Sequence, residues 1–569
     1  MSQNKPWLTN YDPGIPHTLR PYPQRTLYDV LEESARQRPE HPAMIFQGSR
    51  ISYRRLSRES DAFAAALVDL GLAPGDRVAL MLPNSPQMII ALVGAWKAGA
   101  IVSPLNPLYT GHELIHALNA TGARIAVVLS PFYEKVKGFQ RQTALREIIV
   151  TNIKEYLPWR KRVLFSLFRE KPEGHRVTVG PRDHSLSHLL HLKQGASRPR
   201  ASVDPNDAAL LMFTGGTTGK PKAALSSHRA LLMASMQIVA WLGDLNQPWR
   251  DVHLLLMPMF HTYGCIGAFG TAVVGRHTMA IVPNPRDLDA VIETIQATGP
   301  AYVAGVPTLF VALLAHPTVR ANKVDFTSIK LCISGAAPLL AETKRRFEQL
   351  TGGRLIEGYA LTESVMGAVL TPVKGHDREG AIGMPLPDVE IRIVDPKDST
   401  QARKAGQPGE ILLRAPQLML GYWGQPTETA AVIRDGWLHT GDIGYLDEDG
   451  YLTLVDRAKA LIKPSGFQVW PREVEEVIAT HPDVVEVGVA GVPDARRGEA
   501  VKAWVVLKSN AQLTAAELRA YCREYLAAYK VPRRVAFVDE LPKSSVGKVL
   551  RRQLTAMETK RENQPRVEA

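Results

Sequence analysis

The sequence predicts an α/β protein: a large N-terminal domain of mixed sheets with flanking helices and a β-barrel-like subdomain, then a small, mobile α+β domain. Three observations predict it. Residues 75–107 (GDRVALMLPNSPQMIIALVGAWKAGAIVSPLNP) alternate strand, helix and strand, which marks βαβ units on a largely parallel sheet. The 569 residues exceed what one core holds, since single cores stop growing near roughly 250–300 residues. The pattern also changes at residues 456–459 (DRAK), after which residues 457–569 carry their own strand, helix, strands, helix and strand. The expected domains are therefore 1–456 and 457–569.

In chain order, a Pro-rich arm leads into a helical pattern (LYDVLEESARQRP) and a strand with a turn (AMIFQGSRISY). A long amphipathic helix follows over 57–70, ahead of the alternating segment. The apolar run 208–212 reads as a buried strand, 223–225 as a second, and Ser226–Ser227 open a helix (HRALLMASMQIVAWL). Residues 252–259 form another apolar run that ends at Phe260–His261, before a Gly-rich apolar helix (YGCIGAFGTAVVG). Residues 330–334 and 355–359 read as strands around a helix (AETKRRFEQLTG) capped by Gly352. From 409 to 457 the pattern is antiparallel, with an Asp449–Gly450 hairpin turn. In the last domain the Thr514…Glu517 spacing is a capping box.

An apolar fraction of 45% and a charged fraction of 22% belong to a globular, water-facing chain. The net charge of +12 suits polyanionic small molecules, anionic lipid or nucleic acid. No basic motif interleaved with aromatics is present, so nucleic acid ranks last. Cys265, Cys332 and Cys522 lie far apart and lack metal-ligand spacing, which excludes a disulfide framework and fits a reducing compartment. The first residues (MSQNKPWLTNYDPGIP) lack the apolar region of a signal peptide. The most apolar window, 88–102, is interrupted by Lys97 and falls short of the roughly 18 residues of a spanning helix. A cytoplasmic protein is expected, with membrane association on the cytoplasmic face left open.

Between the strands at 208–212 and 223–225 lies residues 213–222, FTGGTTGKPK. Gly215, Gly216 and Gly219 let backbone N–H groups converge, Thr214, Thr217 and Thr218 add hydroxyls, and Lys220 and Lys222 add charge. That inventory suits nucleotide phosphates. It is not a Walker A loop, because only three residues separate Gly215 from Gly219 and Pro221 follows Lys220. The ordered string resembles the phosphate-binding loop of the adenylate-forming acyl-CoA synthetases. Further strings extend the resemblance in the family's order: MPMFHTYG, the turn at Gly335–Ala336–Ala337, EGYALTE, WLHTGD, DRAK and PKSSVGK. The N-terminal NYDPGIP and GDRVALMLPNSPQ also resemble long-chain fatty acid–CoA ligases of this acyl-CoA synthetase/luciferase-like superfamily.

The resemblance implies an ATP-dependent ligase that activates a long-chain fatty acid as acyl-AMP with release of pyrophosphate, then transfers the acyl group to coenzyme A. ATP or AMP would be held by Thr214–Lys222, Gly335, Ala336, Ala337, Glu357, Gly358, Tyr359 and Ala360, with Asp442 and Arg457 on the ribose. Glu363, with Thr218, would hold Mg²⁺, and Thr362 would contact the α-phosphate. Lys548 would be the adenylation lysine, His261 and Gly335 would line the acyl channel, and Lys459 would be the hinge. Ser465, Gly466 and Phe467 are the expected face for CoA. Two departures stand out: Ala360 replaces the family glycine, and Ala460 an acid often found beside the hinge. An aryl- or medium-chain acid–CoA ligase, a ligase loading a carrier protein and a non-catalytic nucleotide-binding scaffold remain alternatives. Retention of both Glu363 and Lys548 argues against the scaffold. The sequence leaves room for a homodimer.

One segment stands outside these motifs. Residues 151–171 (TNIKEYLPWRKRVLFSLFREK) alternate apolar and basic positions with aromatics. They read either as a helix packed on the domain with a solvated basic face, or as an amphipathic element lying on an anionic bilayer.

Overall fold

The computed structural model describes residues 5–562 apart from 200–202, 215–220, 338, 376, 379, 458–459, 465–468, 495–496 and 545–546. Three of the expectations fall largely or wholly outside them: most of the phosphate loop, the hinge Lys459, and the CoA turn at Ser465–Phe467.

Two large sheets make the body. One has eight strands in the spatial order 421–422, 223–227, 208–213, 101–104, 77–81, 125–129, 147–151, 184–185. Its strands run parallel from Ala208–Phe213 outward, as the βαβ pattern requires, and antiparallel through Ala223–Ser227 and Gly421–Tyr422. The other has nine strands, with a parallel centre built from Pro42–Phe46, Thr278–Ile281, Val252–Leu255, Tyr302–Gly305, Leu331–Ser334 and Arg354–Tyr359. Helices buried between these sheets share one hydrophobic core with both.

The helix Pro86–Lys97 shows why the two layers hold together. All twelve of its residues are buried, so its apolar surface is continuous rather than striped. It crosses the helix Tyr53–Asp69 so closely that a Cβ at Gly94 would stand 2.8 Å from Phe63 Cδ1 and from the Ser60 carbonyl. Its last residue, Lys97, is fully buried and pairs with Glu32 at 2.5 Å and Asp61 at 2.7 Å. A charge at that depth persists only because both carboxylates and the Ser60 hydroxyl satisfy it.

The expected barrel-like subdomain is a five-stranded antiparallel sheet: Glu390–Val394, Gly409–Arg414, Trp437–Leu446, Ile433–Arg434 and Leu452–Arg457. The C-terminal part carries a three-stranded sheet, Val484–Asp494, Gly498–Leu507 and Arg534–Phe537, with its own apolar core. The fold class is thus mixed α/β with a small C-terminal domain. No described helix is long and apolar enough to cross a membrane.

Two elements differ from expectation. The strand starting at Val252 ends at Leu255, three residues before Pro258, which has no N–H for a ladder. Met257 and Met259 stay buried instead through Asn84, whose amide donates to the Met257 carbonyl at 3.0 Å and whose Oδ1 accepts from Met259 N–H. The helix after His261 is π-helical over Tyr263–Gly270 before it becomes α-helical at Thr271–Gly275. Such stretches are rare and gather at functional sites.

Candidate active site

The carboxyl ends of the parallel strands are where ligands of α/β sheets bind. Arg354–Tyr359 ends there and delivers Glu357, Gly358 and Tyr359 to the crevice. Glu357 accepts the Leu339 N–H at 3.1 Å, tying this strand to the turn after Gly335–Ala337. Burial raises its carboxyl above the usual range, only partly offset by the Leu339 N–H and by Arg472. Ala336 sits in the left-handed region at φ +71°, an uncommon conformation for a residue with a Cβ. Tyr263 reaches from the π-helix to pack its ring against Gly335, while its hydroxyl donates to the Ile333 carbonyl at 2.7 Å.

The chain then makes a strained turn. Val365 and Met366 both have positive φ, 53° and 74°, directly after Thr362–Glu363–Ser364. A β-branched residue in that region costs on the order of 1–3 kcal/mol and persists only where its surroundings impose it. Here the Ser364 hydroxyl imposes it, accepting from Leu361 N–H at 3.1 Å and donating to the Leu361 carbonyl. The result fixes Glu363 at the crevice rather than leaving it on a solvated loop.

Glu363 Oε1 accepts a 2.6 Å hydrogen bond from the Tyr422 hydroxyl. Tyr422 comes from the short strand paired with Ala223–Ser227, and Lys222 lies over its ring at 4.9 Å while pairing with Glu428. The base of the phosphate loop is closed by Thr214 N–H donating to the Lys222 carbonyl at 2.8 Å. The loop's far end and Glu363 are therefore one cluster, although 141 residues separate Lys222 from Glu363. Tyr422 was not visible as a site residue from sequence; its only signal was an aromatic in a two-residue strand.

Asp442 and Arg457 are register partners on adjacent antiparallel strands, and Arg457 Nε meets Asp442 Oδ1 at 2.9 Å. The buried Asp442 also accepts from the Tyr359 hydroxyl at 2.7 Å. Burial, then the Asp442 carboxylate, hold that phenol well above its ordinary range, so it stays a donor. Strand end and hairpin thus meet at one carboxylate.

Lys548 arrives at this spot from the C-terminal part. Its side chain is solvent-exposed. Burial of its surroundings pulls its ammonium down to about 8, with the Arg457 guanidinium next and the Asp442 carboxylate opposing. The loop is pinned by Ser544 N–H to the Lys548 carbonyl and Lys548 N–H to Ser544 Oγ. Gly547 has φ +75°, and a Cβ there would stand 3.0 Å from Thr308 Oγ1, so only glycine fits this approach to the helix Pro307–Ala315. Behind it, Arg551 pairs with Asp456 at 2.8 Å and Glu475 at 2.6 Å. Arg551, Asp456 and Thr308 also escaped sequence reasoning, because their partners lie on other elements.

His261 lies outside this cluster of charges. Burial drives its imidazole down to about 4, so it is neutral and a poor base at ordinary pH.

A magnesium ion bound with nucleotide needs one or two carboxylates and phosphate oxygens, not a protein cage. Among the described residues no group of three or more metal-binding side chains exists, while Glu363 presents a single oriented carboxylate. That donor set fits.

Comparison with known proteins bears on the same residues. Residues 31–423 match the model of the AMP-binding enzyme family, and residues 473–548 match its C-terminal domain. The chain is 38% identical to a long-chain-fatty-acid–CoA ligase of Bacillus subtilis, covering 98% of this chain and 99% of that one. It is 39% identical to a long-chain-fatty-acid–CoA ligase of Escherichia coli O157:H7, covering 97% and 98%. The ATP-bound crystal structure of MatB from Rhodopseudomonas palustris superposes with a TM-score of 0.79 at 30% identity, covering 94% of this chain and 99% of that chain. With residues 31–423 and 473–548 matched by the two family models, and Glu363 and Asp442 held in place by Tyr422 and Tyr359, this protein is a member of the AMP-binding enzyme family.

Proposed function

We propose that the protein is an ATP-dependent, AMP-forming long-chain fatty acid–CoA ligase. The observation that carries the proposal is the pair of carboxylates held at the strand ends, Asp442 by Arg457 and Tyr359 and Glu363 by Tyr422. The two bacterial ligases that align along almost the whole chain support the acyl-CoA product.

A carboxylate is a poor electrophile because oxide cannot leave. Its oxygen attacks the α-phosphorus of ATP, the bond to the pyrophosphate breaks, and an acyl-adenylate results. Two anions must meet in this step, so positioning and charge neutralisation are the main tasks. Thr214–Lys222 hold the β- and γ-phosphates, with Thr362 at the α-phosphate. Asp442 accepts from the ribose hydroxyls and Arg457 keeps it in place. Lys548 donates to the carboxylate and α-phosphate oxygens as charge shifts. Glu363, with Thr218, would hold magnesium, which supplies charge neutralisation on the phosphates. Gly335, Ala336, Ala337, Glu357, Gly358, Tyr359 and Ala360 form the adenine side of the pocket. His261, neutral, positions the acyl chain rather than taking a proton.

In the second step the CoA thiol attacks the adenylate carbonyl and AMP leaves. The Lys548 loop packs against the helix Pro307–Ala315 through Gly547, and for the second step the C-terminal domain swings about Lys459 and brings Ser465–Phe467 to the pantetheine. A cytoplasmic site of action follows from the need for ATP and CoA.

Pyrophosphate release on adding ATP and palmitate, followed by thioester formation across acids of different chain length, tests the proposal. Absence of pyrophosphate release with every acid, aryl acids included, overturns the ligase reading. Thioester formation from aryl or medium-chain acids alone overturns the long-chain assignment.

A further inference from the structure

Residues 159–169 form a continuous helical segment, α over Trp159–Leu164 and π over Phe165–Arg169. Its large apolar side chains point away from the protein: Trp159 is 71% exposed, Val163 51%, Leu164 55%, Leu167 70% and Phe168 69%. Five of the fifteen exposed large hydrophobic residues among those described thus fall within ten positions. Scattered exposed leucines need no explanation, but a contiguous patch does.

The segment is not loosely attached. Its inner side buries Phe165, whose ring meets His175 edge-on at 5.2 Å. Lys154 pairs with Glu170 at 2.6 Å, and Lys161 reaches Glu293 on a neighbouring helix at 3.5 Å. The apolar face is therefore presented outward by a fixed scaffold. Positions 159, 163 and 167, with 164 and 168, recur at the four-residue spacing of one helix face.

Charge selects the occupant. Residues 159–173 carry five cations (Arg160, Lys161, Arg162, Arg169 and Lys171) against two anions, Glu170 and Glu173, the latter paired with Arg169. A second copy of the chain across a twofold axis would bring these cations onto themselves, which disfavours self-association through this face. An anionic bilayer surface supplies both an apolar interior for Trp159, Leu167 and Phe168 and phosphates for the flanking cations. The absence of a described spanning helix limits the contact to the interface.

We infer that the face Trp159–Val163–Leu164–Leu167–Phe168, flanked by Arg160 and Arg162, docks the protein on anionic lipid bilayers. The contact stands independently of the ligase reading. Joined to it, the contact brings the protein to the phase where long-chain acids reside.

Co-sedimentation of the full-length protein with phosphatidylcholine vesicles, with and without phosphatidylglycerol, reads the contact. The wild type binds the anionic vesicles and is released by salt. The triple variant Trp159→Ser, Leu167→Ser, Phe168→Ser binds at least about tenfold more weakly, with unchanged thermal unfolding because the side chains are exposed. Arg160→Glu with Arg162→Glu loses about fivefold per charge on anionic vesicles and little on neutral ones. Turnover of a water-soluble acid is the same in all three proteins, which separates this result from failure of the ligase reading. Unchanged vesicle binding by the triple variant overturns the inference. So does a triple variant whose sedimentation velocity shows loss of a dimer while vesicle binding persists, since the face would then belong to a second copy.

Discussion

Lys548→Ala tests the site most directly. In the native cleft the ammonium is pulled down to about 8, first by burial of its surroundings and then by Arg457. The folded state therefore disfavours this charge, and deleting it removes a repulsion with Arg457 instead of breaking a stabilising pair. Folding stability should not fall, so a loss of activity cannot be put down to unfolding. The transition state of adenylation gains negative charge on the α-phosphate, and removing one such donor costs about 10²–10³ in rate, or roughly 2.7–4 kcal/mol. Thioester formation from preformed acyl-adenylate makes no use of Lys548, so that half-reaction should change little.

The sign of the pH dependence follows from the same geometry. Lysine must be protonated to donate, and kcat/KM reports the free enzyme. With a value of about 8, the wild-type adenylation kcat/KM falls roughly tenfold per pH unit on the alkaline side. At pH 9 only about a tenth of the enzyme keeps the ammonium. Lys548→Arg lowers the plateau because the guanidinium is larger, yet removes the alkaline limb, since it stays charged. Pyrophosphate exchange measures adenylation, and acyl-CoA release from synthetic acyl-adenylate measures the second step. Equal losses in both half-reactions for Lys548→Ala, or an alkaline limb that survives in it, would refute the reasoning.

Three further outcomes follow. Tyr422→Phe removes the 2.6 Å donor to Glu363, and a hydrogen bond to a charged group contributes about 1.5–3 kcal/mol, so the magnesium concentration for half-maximal adenylation should rise about tenfold or more. Gly94→Val forces atoms into contacts already at 2.8 Å against Phe63 and the Ser60 backbone, and a drop of about 1–3 kcal/mol in denaturant stability checks it. Burial holds His253 at about 3 and His277 at about 4, below the ordinary 6.5, so the unfolded chain binds more protons between those values. Stability should therefore be intact above pH 7 and fall as pH drops from about 6.5 towards 4, and His253→Phe should flatten that fall in thermal-unfolding scans.

How far the site was legible depends on where each contact lies along the chain. The hairpin around the phosphate loop could be read locally, because the strands Ala208–Phe213 and Ala223–Ser227 are neighbours with turn chemistry between them. Glu363 and Asp442 were found as motifs, but what orients them was not. Tyr422 reaches Glu363 across 59 residues, and Tyr359 reaches Asp442 across 83. Periodicity cannot report such pairings. The segment 151–171 is the opposite case: its composition was plain, but composition does not fix a facing direction. A packed helix with a solvated basic face and an element lying on a bilayer were both open readings, and the structure buries Phe165 while turning Trp159, Leu167 and Phe168 outward. The π-helix at Tyr263–Gly270 was equally hidden, since an all-apolar glycine-rich run has no polar face to mark its period.

The proposed swing about residue 459 places a condition on what holds the Lys548 loop in its present position. Asp456 is the penultimate residue of the strand Leu452–Arg457, before residue 459, and Arg472 and Arg551 follow it. Asp456 Oδ1 accepts from Arg551 at 2.8 Å and Oδ2 from Arg472 N–H at 3.0 Å, so one carboxylate ties both flanks together. Arg551 keeps Glu475 as a second partner within its own domain, so breaking the Asp456 contact leaves no orphaned guanidinium. The tie is then worth about 1–2 kcal/mol, firm enough to favour the present arrangement, which we propose is the adenylating one, and weak enough to be undone each turnover. Asp456→Asn should shift the balance by roughly five- to thirtyfold away from that arrangement. Adenylation then falls by up to about tenfold, while thioester formation from acyl-adenylate holds or rises. Asp456 adjoins Arg457, so Arg551→Ala, which leaves the ribose site untouched, must give the same asymmetry. If it lowers both half-reactions alike, Asp456 serves folding and not the swing.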